Sequence, residues 1–163
     1  GRDFTMKRWL DKKPRFIVID SLTELFNLFE VDSKERFQNY DIWNNYNNSV
    51  AKFFRDIKQD DTVVICTAID ELDTFMNGAG TQSAQRRIKV LGKRWAGEVE
   101  SQALAVFYTQ VKHQAGKLPE YQLVNSPNGV HSAKMPRAWR EVSKLPIETP
   151  NNLNAILTAC KIL

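Results

Sequence analysis

The stretch from Pro14 to Leu25, PRFIVIDSLTEL, constrains this chain more than any other. Phe16, Ile17, Val18 and Ile19 form a continuous apolar run that includes β-branched residues. Such a run fits a strand buried on both faces, as in a parallel sheet, rather than the alternation of a half-exposed strand. Asp20 and Ser21 follow at once, and Leu22, Leu25, Phe26 and Phe29 then recur at helical spacing. The helical four are read as core. A strand that runs through an acid and a hydroxyl into a helix opens a βα unit, and ligands gather at the carboxyl ends of strands in such units. Asp20 falls at that end.

A second strand of the same kind supports the reading. Asp41 to Lys58 predicts an amphipathic helix with Ile42, Tyr46, Val50, Phe53 and Ile57 on its apolar face. Thr62–Ala68, TVVICTA, then reads as another buried strand ending at Thr67, with Asp70 and Glu71 beyond it. Two such strands joined through helix make a βαβ unit. Upstream, Trp9 and Leu10 close a short helix that Pro14 stops.

The remainder is less periodic. Residues 73–94 are expected as a flexible loop, with Asn77, Gly78, Gly80, Thr81, Gln82 and Ser83 at its centre and a basic run after it. Trp95 to Gln102 predicts a short helix, Ala103–Val111 a third strand and Tyr121–Val124 a fourth. Ser126-Pro127-Asn128-Gly129 is a turn signal, so Val130–Ala133 is expected back as the hairpin partner of the fourth strand. A last helix, Leu153 to Lys161, follows the prolines of the tail.

Composition narrows the function classes. At 163 residues, 42% hydrophobic and 26% charged, the chain reads as one soluble globular domain. It has no apolar run of about 18 residues and no signal-peptide pattern at its start. The two cysteines, Cys66 and Cys160, and the two histidines, His113 and His131, lack metal-type spacing, which disfavours a zinc site. A reducing, cytoplasmic setting is the natural expectation. The net charge of +4 leans towards a polyanionic partner, and the excess is concentrated. Arg86 to Arg94, RRIKVLGKR, holds five basic residues and no acid. Arg86, Arg87, Lys89, Lys93 and Arg94 are therefore candidates to neutralise phosphates, and Trp95 to stack on a base, against the alternative of a solvated basic loop.

Taken in order, IVIDSLTEL, a long helix, VVICTAIDEL, a variable loop, LGKRWAGEVESQALAVFYTQV, YQLVNSPNGVHSAKMP and LPIETPNNLNAIL resemble a known family. They look like the phage-encoded nucleotide-binding ATPases of the RecA-like class, the single-strand-annealing or recombination type. The resemblance covers roughly residues 14–163, with IDSLTEL and the hairpin followed by Ala133-Lys134 its most specific parts. It implies a mostly parallel RecA-like sheet between helices with a C-terminal β-hairpin, binding ATP and magnesium at the strand ends. FIVID resembles a Walker B element, so Asp20 would hold the magnesium and Ser21 would support it. Thr67 resembles the sensor of the γ-phosphate. Lys134 resembles the basic residue that reaches a neighbouring subunit's phosphate in a ring or filament, stabilising charge on the transferred group. The segment 78–94, which includes the basic stretch, would be the loop that faces single-stranded DNA. A phage single-stranded-DNA-binding protein, a homo-oligomer, and a phage or prophage origin in a bacterial host are implied with it.

One departure from the family is large. No G-x-x-x-x-G-K-[ST] phosphate loop exists here: Gly92-Lys93 is followed by Arg94, and Arg87 stands where the first glycine is required. The family's first two strands are missing too, and Gly1 at the start agrees with truncation. The expectation is the C-terminal two-thirds of such an ATPase, nearly inactive towards ATP alone. Other readings stay open at this point. Asp20 is alternatively a helix N-cap. The chain as a whole is alternatively a non-catalytic nucleic-acid- or partner-binding protein on a degenerate RecA-like scaffold. A third reading is an unrelated α/β enzyme using Asp20, Asp70 and Glu71.

Overall fold

A computed structural model describes residues 6–58, 61–76, 78, 80, 82–92 and 94–162. The chain divides into two compact units, one drawn from Gly1–Asp70 and Ile88–Glu98, the other from Glu71–Arg87 and Val99–Leu163.

The first unit contains α1 (Lys7–Leu10), β1 (Phe16–Ile19), α2 (Leu22–Arg36), α3 (Tyr40–Lys58) and β2 (Val63–Cys66). β1 and β2 pair in parallel, from Phe16 opposite Val63 to Ile19 opposite Cys66. Thr62 Oγ1 ties the start of this pair by donating to the Pro14 carbonyl at 2.9 Å. Helix α2 starts where Ser21 caps it, its hydroxyl accepting from Glu24 N–H at 3.2 Å. Glu24 in the first turn and Lys34 and Arg36 in the last complement the helix dipole. The helix stops at Phe37, which is extended and returns its N–H to the Ser33 carbonyl.

Helices α2 and α3 hold the core of this unit. Phe26 sits against Phe29, Phe53 and Phe54 with ring centroids 6.0 to 6.2 Å away, mostly edge-on. Tyr46 and Val50 are fully buried on the predicted face of α3, and burial pushes the Tyr46 phenol up to about 12. One polar stitch joins the helices: Ser33 Oγ donates to the Phe29 carbonyl at 2.7 Å and accepts from Asn45 Nδ2 at 2.9 Å.

The parallel β1–β2 pairing agrees with the sequence, but the wider sheet does not. Among the described residues the structure has separate sheets of two, two and three strands, not a mostly parallel RecA-like sheet between helices. Val18, expected to be buried, is 65% exposed. A strand with a single partner has too little sheet around it for both faces to be covered.

The second unit is built on β5 (Tyr108–Lys112), β6 (Glu120–Val124) and β7 (Glu148–Pro150), antiparallel in that order. Period-2 alternation sends β5 and β6 residues to two apolar clusters. Tyr108 and Val124, directly opposite one another, join Val106 and Ala133. Leu123 points the other way, to Met135, Ile156 and Cys160, with Phe107, Trp139, Leu145 and Ile162 packed around them. The helices here are α4 (Val99–Gln102), α5 (Arg137–Ser143) and α6 (Leu153–Ala159), the last capped by Asn152 Oδ1 on Ala155 N–H at 3.0 Å. The predicted helices are longer than these: α4 begins at Val99 rather than Trp95, and α6 ends at Ala159.

Two further expectations are corrected. Where a flexible loop was expected over 73–94, β3 (Asp70–Met76) and β4 (Gln82–Ile88) pair as a two-stranded sheet, each placed in the second unit except for its outermost residue. Burial alternates along β4, but the half-buried positions are Ser83, Gln85 and Arg87. Polar residues carry that alternation, so hydrophobic periodicity is blind to it. Asn77, Thr81 and Lys93 lie outside the described residues. The second correction concerns the C-terminal hairpin. Val130–Ala133 does not pair with Tyr121–Val124; β6 lies between β5 and β7 instead. The turn exists, with Asn128 Oδ1 accepting from the N–H groups of Val130 at 3.1 Å and His131 at 2.9 Å. Beyond it the chain pairs elsewhere, His131 with Arg86 and Lys134 with Val106. Among the described residues no helix is long and apolar enough to cross a membrane.

Candidate functional site

Parallel pairing brings the ends of β1 and β2 together, and three hydrogen bonds hold the residues just beyond them. Thr67 N–H donates to the Ile19 carbonyl at 3.0 Å, Leu22 N–H to the Thr67 carbonyl at 2.8 Å, and Ile69 N–H to Thr23 Oγ1 at 3.0 Å. Within this frame the Thr67 hydroxyl donates to Asp20 Oδ1. Both side chains are exposed. The Asp20–Ser21 peptide bond is cis. Ser21, not Asp20, caps α2, so Asp20's carboxylate is not spent on the helix. The N-cap reading of Asp20 is thereby overturned.

Asp20 and Thr67 thus pair a carboxylate with a hydroxyl at the carboxyl ends of two parallel strands, while the Ser21 hydroxyl is turned to the Glu24 N–H as the cap of α2. Magnesium is commonly held by one or two carboxylates, with phosphate oxygens and water completing its octahedron. Asp20 fits the single-carboxylate case. The described residues contain no group of three or more His, Cys, Asp or Glu able to hold an ion by themselves. Cys66, last residue of β2, is a poor nucleophile at neutral pH because burial pushes its thiol up to about 11. Asp70 belongs to the same unit and Glu71 to the other.

Lys134 belongs to the second unit. Its backbone exchanges two bonds with Val106, at 2.8 and 3.0 Å, and its Nζ donates to the Ser101 carbonyl at 3.2 Å. The ammonium therefore rests on the last turn of α4, where helix carbonyls favour a cation.

The basic run is divided between the units. Arg86 and Arg87 lie on β4 in the second unit; Lys89, Arg94 and Trp95 lie in the first. Arg86 is exposed, and its backbone is anchored: its N–H meets the Val130 carbonyl at 2.6 Å, and its carbonyl accepts from Ser132 Oγ at 3.1 Å. The Tyr108 hydroxyl lies between that carbonyl, 3.1 Å away, and Glu100 Oε1, 3.2 Å away. Arg87 is paired with Asp73 at 3.1 Å. Lys89 is exposed, with its N–H on the Ile69 carbonyl at 2.8 Å. Arg94 stands over the Trp95 ring at 5.9 Å. Trp95 itself is corrected: it is only 8% exposed and packs on Phe54 at 5.9 Å, so its face is already covered and cannot take a base.

Sequence reasoning missed two things. Thr23 helps shape the strand-end cluster through a side-chain acceptor that no motif announces. The exposed cations Arg140 and Lys144, which follow Arg137, itself a candidate with Lys134 to reach a neighbour's phosphate, had a legible signal in their steps of three and four residues. A groove of about 920 Å³ between α2 and α3, lined by Leu25, Leu28, Phe29, Val31 and Phe53 among others, includes none of Asp20, Ser21 or Thr67.

Comparison with protein families, characterised proteins and solved structures finds no match to this chain.

Proposed function

We propose that this chain supplies the magnesium-holding and DNA-handling part of an ATP-dependent single-stranded-DNA recombination or replication ATPase of phage type. The carrying observation is the Asp20–Thr67 hydrogen bond at the carboxyl ends of the parallel pair. It sets an exposed carboxylate beside a hydroxyl at the strand ends, which supports reading this point as the place of a nucleotide's phosphates. In this reading Asp20 holds magnesium with Ser21 in support, Thr67 reads the γ-phosphate through its hydroxyl, and Lys134 meets a phosphate across a subunit boundary in a homo-oligomer. Magnesium, when bound, neutralises charge between the phosphates. This sequence contains no G-x-x-x-x-G-K-[ST], so the reading leaves the phosphate cradle to be supplied by residues other than these.

The test is magnesium-dependent ATP binding by the complete gene product. Asp20→Ala is expected to abolish the magnesium dependence while leaving the fold intact. Equal magnesium-dependent binding by variant and parent would overturn the assignment.

A second reading is a non-catalytic nucleic-acid-binding protein on a related scaffold. The absence of the phosphate loop, together with exposed basic residues in both units, favours it. Its mark is DNA binding that is the same with and without ATP and unaffected by Asp20→Ala.

A further inference from the structure

The segment Lys134–Lys144, KMPRAWREVSK, carries four cations and one carboxylate, in a chain whose whole net charge is +4. Helix α5 gives that excess a direction. At 3.6 residues per turn, Arg137 and Arg140 lie about 60° apart around the axis, and Lys144 follows Arg140 by one turn as the C-cap. Trp139 falls on the far side, and there it packs with Leu145 against the cluster of Leu123, Met135, Ile156 and Cys160. One face of the helix is therefore committed to the core and the opposite face is left charged. No residue of α5 is buried, and Arg137 is 93% exposed.

The cations differ in how far they are already engaged. Arg137 Nε pairs with Glu141 at 2.7 Å, an exposed pair of small worth. Arg140 and Lys144 make no ion pair or side-chain hydrogen bond among the described residues. Lys144 is the C-cap, in the left-handed region at φ 51°, with its N–H on the Arg140 carbonyl. That bond fixes the spacing of the two cations one turn apart.

We infer that the Arg137–Arg140–Lys144 face of α5 is a docking surface for the phosphate backbone of a single-stranded nucleic acid. This rests on the polyanion-binding part of the function proposed above and adds a surface to it that is separate in sequence from Arg86 to Arg94. Guanidinium groups match phosphate oxygens bidentately, and cations one helical turn apart, about 5 to 6 Å, follow successive charges along a strand. The other common target of a basic helix is an anionic membrane, which such helices enter by their apolar face. Here that face is taken by the Trp139 contact, and Val142 is the only exposed large apolar side chain of the helix. The arrangement favours the nucleic acid.

The test measures binding of a labelled single-stranded oligonucleotide across a salt series. It compares the parent, Arg140→Gln/Lys144→Gln, Arg140→Lys/Lys144→Arg, and Arg86→Gln/Arg87→Gln. Each lost phosphate contact on a single strand lowers the log–log salt slope by about 0.7, so the first variant is expected to lose about 1.4 in slope with at least a tenfold loss of affinity at low salt. The charge-keeping swap is expected to retain most of the binding, which separates lost charge from lost structure. Unchanged slope and affinity in the first variant, while the Arg86/Arg87 pair matters, would overturn the α5 surface and leave nucleic-acid binding standing. A parent protein that binds no oligonucleotide would overturn both. Loss of binding to vesicles of anionic phospholipid with oligonucleotide binding intact would assign the face to membranes instead.

Discussion

Thr67 donates its hydroxyl proton to Asp20 Oδ1, joining two residues 47 positions apart in the chain at the adjacent ends of β1 and β2. The bond engages one carboxylate oxygen of a side chain that stays exposed. Because both side chains are exposed, the pair contributes little to folding, and Asp20→Ala or Thr67→Val is expected to change stability by less than about 1 kcal/mol. Urea melts check this. Against that small effect, magnesium-dependent nucleotide binding is expected to disappear in Asp20→Ala and to weaken in Thr67→Val. A large loss of stability in either variant would make the pair structural.

Ser33 is wholly buried and bridges α2 to α3 through Asn45. Ser33→Ala removes the acceptor for Asn45 Nδ2 and is expected to cost about 1 to 2 kcal/mol. Denaturant midpoints of Ser33→Ala and of the double variant with Asn45→Ala would show coupling. Strict additivity would mean that the bond carries no net energy.

Phe26 is 1% exposed and touches three other aromatic rings. Phe26→Ala is expected to destabilise the protein by about 3 to 5 kcal/mol. Leu28, two positions on and more than half exposed, is expected to tolerate alanine within about 0.5 kcal/mol. Similar losses at both sites in thermal melts would mean that the α2 face has been assigned wrongly.

With its thiol raised to about 11 by burial, Cys66 is expected to stay protonated and slow to alkylate at pH 8. In a Cys160→Ala background its labelling rate by a thiol reagent should climb only as pH approaches 11. Rapid labelling at neutral pH would show that the end of β2 opens readily.

Glu148 on β7 accepts from Lys112 on β5, and this bond holds its carboxyl below the ordinary 4.5. A carboxyl whose pKa is lower in the folded state stabilises the fold above its unfolded value. That contribution is lost as pH falls from 4.5 through the folded value. Stability measured across that window is expected to drop more steeply in the parent than in Glu148→Gln. Identical acid slopes would show that the pair contributes nothing to the antiparallel sheet.

Much of the first unit was legible because its chemistry is local and periodic. The apolar runs at Phe16–Ile19 and Val63–Cys66 are strands, Leu22, Leu25, Phe26 and Phe29 are buried on α2 as their spacing predicts, and Tyr46, Val50 and Phe53 lie on the predicted face of α3. The second unit was less legible. Polar β4 carries its alternation in Ser83, Gln85 and Arg87, and a turn at Asn128 says that the chain reverses without saying which strand it meets next.

Residue order alone was enough to place the long helices and apolar strands, the concentration of charge, and Asp20 and Thr67 at the ends of their strands. Hydrophobic period, capping residues and turn chemistry act over a few residues, so they are readable in one dimension. Folding in three dimensions settled that Ser21 rather than Asp20 caps the helix and that Trp95 is buried against Phe54. It also settled that β6 sits between β5 and β7, and that Trp139 turns the cations of α5 outward. Those choices depend on which buried surfaces meet across long loops, a competition between non-local contacts that no short window of residues records.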